Sequence, residues 1–227
     1  MGAKKVKKKI IFFIYYIAIT SFLITLTYYQ TSIHTVILKT IVSSSFLAVA
    51  IANYKNNKPH LILIGLGFCW IGDVVLSIQQ ICLSEKVLIL GMMAFLLGNI
   101  FFILSTLKQS KIKLWEFLFP LVMFAFMLVI SKWKMMDFRG ILPYSIIYCI
   151  FISWNCTRSL SNYLQHKNKT RKIFCLGLML FFISDFVLMF KMFYLGRFVL
   201  GDFLNLSIYY TSVLLIAYSL EFKEENI

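Results

Sequence analysis

Eight stretches of about twenty mostly apolar residues follow one another along the chain, near 10–29, 33–53, 60–80, 87–107, 114–131, 141–160, 173–193 and 203–220. A helix rises about 1.5 Å per residue, so each stretch can cross a hydrocarbon core of about 30 Å. The breaks between them, such as QTS, YKNNKP and KQSKIK, leave little soluble mass on either side. Only 14% of the 227 residues are charged, against roughly 25% in a soluble domain. The reading is an all-α membrane protein with eight transmembrane helices, forming one integral membrane domain over residues 1–227.

Charge sets the orientation. The net charge of +14 does not mark a nucleic-acid binder, because the basic residues sit in the breaks rather than on one folded face. Placing the N-terminal KKVKKK in the cytoplasm puts sixteen Lys and Arg on the inner side, including Lys55, Lys58 and Arg158, and six outside, including Lys86 and Lys191. The positive-inside rule then predicts a multi-pass protein with both termini cytoplasmic, and the membrane expected is a bacterial inner membrane. The run from Ile10 is too long for a signal-peptide core and lacks a small-x-small site before Tyr28, so it reads as a retained first helix. Trp115 and Trp133 flank the fifth run as interfacial anchors, and Glu116 reads as interfacial with them.

Two residues break the apolar pattern at depth. Asp73 lies in LILIGLGFCWIGDVVLSI and Asp185 in IFCLGLMLFFISDFVLMF. A carboxylate at the centre of a membrane helix costs about 2.5–3.5 kcal/mol or more, and such residues face a bundle interior or a wet cavity. The two segments share the pattern G-L-x4-I-[GS]-D-x-V-L at an offset of 112 residues. That offset suggests two parallel four-helix repeats, with halves about 10–107 and 114–220. Asp73 lies 15 residues beyond Lys58, and Asp185 lies 13 beyond Lys172. Both therefore sit roughly 20 Å from the inner boundary. Lys39, entering from the outer side on the second helix, reaches a similar level. A fastening polar cluster would use the same residue types, and two carboxylates at one depth favour the functional reading.

Two neighbouring carboxylates do not readily both ionise, so a pair shares a proton and supplies an acid and a base together. That combination suits hydrolysis. No serine–histidine pattern accompanies the aspartates, and neither HExxH nor a Cys/His cluster marks a metal site, so no cofactor is expected. Cys69, Cys82, Cys149, Cys156 and Cys175 contain no CxxC and read as buried free thiols. Asn99, Asn155, Tyr209 and Tyr210 are further pocket candidates, although Asn and Tyr also join membrane helices by hydrogen bonds. An intramembrane aspartyl protease would need Gly where Trp70 stands in WIGD, and no Pro-Ala-Leu follows Asp185. A proton-coupled transporter also uses an intramembrane Asp, but Pro59, Pro120 and Pro143 lie near helix starts rather than at broken helices.

The eight runs, the Lys early in the second, the IGDVVL and ISDFVL segments, GMMAFLLGNIFFIL and the closing YYTSVLLIAYSL resemble the YhhN-type lysoplasmalogenase family. The resemblance covers nearly the whole chain. It implies hydrolysis of the vinyl ether bond of lysoplasmalogen, releasing a fatty aldehyde and a glycerophospho-alcohol. It places the family's acidic pair at Asp73 and Asp185 and its second-helix lysine at Lys39, with a lysophospholipid as substrate and membrane lipids around it. The chain departs from the family pattern at Thr40 for Pro, Asn99 for His, Phe102 for Tyr and Val213 for Gln. A divergent, non-catalytic member is the alternative beside the transporter.

Overall fold

The computed structural model describes residues 14–25, 33–54, 60–132, 138, 140–195 and 199–221, and among them every regular element is a helix. They are α1 (Ile14–Thr25), α2 (Ile33–Asn53), α3 (His60–Cys82), α4 (Glu85–Leu107), α5 (Leu118–Ser131), α6 (Leu142–Gln165), α7 (Lys169–Phe190) and α8 (Val199–Ser219). A 3-10 turn, Leu114–Phe117, leads into α5, and a π-helical turn, Lys191–Leu195, follows α7. The N-terminal lysines, Lys55, Lys58, Pro59, Trp133, Lys134, Arg139, Arg197 and Lys223 lie outside the described residues.

Among the described residues, five segments are long and apolar enough to cross a membrane: α2, α3, α4, Leu114–Ser131 and Lys169–Phe193. The eight expected spans are therefore met by length and composition in five. The shortfall has a physical reason. α1 is described over twelve residues only, and α6 carries Ser153, Asn155, Thr157, Arg158, Ser161 and Asn162, all turned inward. α8 likewise carries Asp202, Asn205, Tyr209 and Tyr210. Apolar residues face outward instead: Ile64, Ile71 and Ile78 of α3, spaced seven apart, form an exposed stripe. This apolar exterior around a partly polar interior marks an integral membrane protein.

The most extensive helix pairs are α3 with α4 and α7 with α8. Small residues allow the close approach. A Cβ on Gly65 would lie 3.1 Å from the Gly98 carbonyl oxygen and 2.5 Å from the Phe102 ring. A Cβ on Gly177 would lie 3.0 Å from the Ser212 carbonyl oxygen and 2.8 Å from Ile216. In both seams a glycine meets a carbonyl and the side chain one turn further on. α5 packs on α6 and meets α7 through rings, Phe119 against Phe182 at 5.2 Å and Phe126 against Phe186 at 5.8 Å.

Three sequence readings need correction. Arg158 is not a loop charge, and Glu116 is not interfacial: neither side chain is exposed, and they pair at 3.0 Å. The α6 helix runs to Gln165, which carries Arg158 beneath the α4–α5 connection. There its guanidinium donates to the carbonyls of Thr106, Ser110 and Lys111, anchoring the backbone where α4 ends. The five cysteines are free, but Cys82 is exposed rather than buried.

Candidate active site

Asp73 sits in the middle of α3 and Asp185 in the last third of α7, and both line one cavity of about 580 Å³. That size lies within the usual range of small-molecule sites. Its walls are mainly apolar, with Met92, Phe95, Ile152, Phe182 and Met189 among them. The cavity extends to the end of the bundle where α3 turns into α4 and α7 turns toward α8. Gln79, Gln80 and Glu85 stand there beside an ion pair of Lys191 with Asp202. Leu83, which is exposed, also lines it, so the cavity reaches the surface at that end.

The two carboxyls have different surroundings. Asp73 is 3% exposed, and its Oδ2 accepts hydrogen bonds from Ser43 at 2.6 Å and Tyr209 at 3.0 Å. Lys39 lies one turn before Ser43 on α2, buried on the cavity wall, and its charge acts on Asp73. Three edge-on ring contacts among Phe95, Phe181 and Tyr209, with centroids 5.5–6.1 Å apart, hold the Tyr209 ring in place. Gly72 makes room for this cluster, since a Cβ there would lie 2.6 Å from the Phe95 ring.

Asp185 is only partly buried. Its Oδ2 accepts a hydrogen bond from the Tyr148 hydroxyl, which also lines the cavity. Asn99 hydrogen-bonds the Tyr148 hydroxyl, and Asn155 Nδ2 donates to Asn99 Oδ1 at 2.8 Å. The residue before Asp185 is tied to α8, because Asn205 donates to the Ser184 carbonyl at 2.7 Å and Ser184 Oγ donates back to the Asn205 carbonyl at 3.1 Å.

Of the residues singled out from sequence, Asp73, Asp185, Lys39 and Tyr209 share the cavity wall. Asn99, Asn155 and Tyr210 are placed differently: they are buried behind the wall, Asn99 and Asn155 supporting Tyr148. Tyr210 lies 3.4 Å from Ser43 Oγ and accepts through its carbonyl from Tyr15 at 2.8 Å. Sequence reasoning missed Ser43, Tyr148 and the Ser184–Asn205 clasp. Ser43 had a signal, since it stands four residues after Lys39 and so shares its helix face. Tyr148 had none, being one of two tyrosines in the run at 141–160.

Among the described residues no group of three or more His, Cys, Asp or Glu is arranged to hold a metal. The cavity presents two carboxyls with hydroxyl, amide and ammonium neighbours around a mainly apolar space. No curated protein and no solved structure matches the chain. Residues 34–220 match the model of the YhhN family, covering most of the chain, and the chain belongs to that family.

Proposed function

We propose that this protein is a membrane hydrolase that cleaves the vinyl ether bond of lysoplasmalogen, releasing a fatty aldehyde and a glycerophospho-alcohol by paired-aspartate acid–base catalysis. One observation carries the reading: two intramembrane carboxyls from helices 112 residues apart in sequence line a single, mainly apolar cavity. Membership in the YhhN family supports the substrate class. α6 and α8 have 24 and 21 residues, enough to span, so the proposal includes all eight helices as spans, with both termini cytoplasmic. The matching glycine seams at Gly65 and Gly177 support a duplication.

The chemistry needs few parts. One carboxylic acid protonates the β-carbon of the vinyl ether, giving an oxocarbenium ion. The other carboxylate faces that cation, and in an enclosed site such electrostatic stabilisation is the larger lever. Water adds, the hemiacetal collapses, and aldehyde and alcohol leave. The apolar wall suits the aliphatic chain, while the polar rim around Lys191 and Asp202 suits a charged head group.

Purified protein supplied with lysoplasmenyl-ethanolamine, an ester-linked lysolipid and an alkyl-ether lysolipid tests the reading. Aldehyde release from the vinyl ether lipid alone is expected. Absence of release from all three, with solute transport in liposomes, would replace the hydrolase by a carrier.

A further inference from the structure

We propose that the two aspartates divide the reaction unequally: Asp185 delivers the proton to the substrate, Asp73 is the fixed carboxylate, and Tyr148 is the positioning residue of Asp185. The assignment rests on the hydrolytic reading above and deepens it.

Accessibility separates the two groups first. Both line the cavity, but Asp73 is 3% exposed whereas Asp185 is only partly buried, so Asp185 presents more surface to a bound molecule. Partners separate them again. Asp73 accepts from Ser43 and Tyr209 and faces Lys39, a set that matches a charged carboxylate. Among the described residues, Asp185 accepts from Tyr148 and has a second carboxyl, Asp73, as its charged neighbour. Cys69 of α3 faces both aspartates, and Tyr15 of α1 and Tyr210 of α8 stand on the Asp73 side. Lys39 acts on Asp73 and is not among the groups acting on Asp185.

Tyr148 defines how Asp185 presents its proton. Asn155 donates to Asn99, Asn99 to the Tyr148 oxygen, and Tyr148 to Asp185 Oδ2. With Oδ2 occupied as an acceptor, the acidic proton belongs on Oδ1. The Asp185 O–H bond breaks, and the proton joins the β-carbon, bonded by the electron pair of the C=C π bond. An oxocarbenium ion remains, opposite the charged Asp73. Water adds to that ion and gives a proton to Asp73. As the hemiacetal collapses, Asp185 takes its hydroxyl proton, the C–O bond breaks, and Asp73 returns its proton to the departing alcohol oxygen. Both groups finish as they began.

Infrared spectra of the purified full chain without substrate test this at neutral pH. A carboxylic acid C=O band is expected in wild type and Asp73→Asn, absent from Asp185→Asn, and moved to higher frequency in Tyr148→Phe. The Tyr148→Phe variant should also lose about tenfold or more in kcat with KM little changed. Dicyclohexylcarbodiimide, which attacks protonated carboxyls, should label Asp185 in the wild-type chain, a readout that needs no variant to fold. A band lost in Asp73→Asn but kept in Asp185→Asn, no band in wild type, or label on Asp73 would overturn the assignment. The expected bands and label without aldehyde release would overturn the hydrolase reading alone.

Discussion

The Tyr209 hydroxyl donates to Asp73 Oδ2 across 3.0 Å, tying α8 to α3 on the cavity wall. A hydrogen bond to a charged group contributes about 1.5–3 kcal/mol. Tyr209→Phe keeps the ring contacts with Phe95 and Phe181 and removes this bond alone. Its kcat should fall about tenfold to a hundredfold, with the folded state destabilised in detergent by no more than about 3 kcal/mol. A matching drop for Ser43→Ala, which removes the 2.6 Å partner of the same oxygen, would confirm that Asp73 is the group affected.

Arg158 and Glu116 form a fully buried ion pair at the end of the bundle away from the Lys191–Asp202 rim. Removing one member of such a pair leaves an uncompensated buried charge and costs about 3–5 kcal/mol. Glu116→Gln and Arg158→Met should each lower the unfolding midpoint in a mixed-micelle denaturant titration. The double variant Glu116→Leu/Arg158→Met should recover part of that loss. Equal stability of single variants and wild type would show that the pair adds nothing.

The α3–α4 seam makes a prediction with its own control. A Cβ on Gly98 would lie 3.0 Å from the Gly65 carbonyl oxygen and 3.1 Å from Cys69 Sγ. The backbones must then part, and Gly98→Ala should destabilise by about 1–3 kcal/mol. A Cβ on Gly67, on the same helix as Gly65, meets nothing within 4 Å. Gly67→Ala should therefore be neutral or stabilising by up to about 1 kcal/mol through helix propensity. Thermal melts of the two variants, followed by circular dichroism, compare them directly.

Helix existence was readable because runs of apolar length leave few alternatives in a bilayer. The boundaries of α2, Ile33–Asn53, and the end of α4 at Leu107 coincide with the runs read from sequence. Polar positions were harder. Asp73 and Asp185 stood out because carboxylates are costly in apolar helices, and so did Lys39. Tyr148 and Ser43 did not, since hydroxyl side chains occur throughout membrane helices at little cost. Arg158 was read as a loop charge because it fell near the end of the run at 141–160, and its partner Glu116 is 42 residues away. Only the packed bundle shows that pair. The same holds for Asn99 and Asn155, whose 2.8 Å contact turns two apparent pocket residues into support for a third.

The role of the paired carboxyls is tested most directly by aldehyde release from lysoplasmenyl-ethanolamine, measured for wild type, Asp73→Asn and Asp185→Asn in detergent. Each substitution preserves side-chain size and removes one acid–base group. Release by wild type and a loss of about a hundredfold or more in both variants is the predicted result. Undiminished release from either variant, with folding intact, would contradict paired-aspartate catalysis.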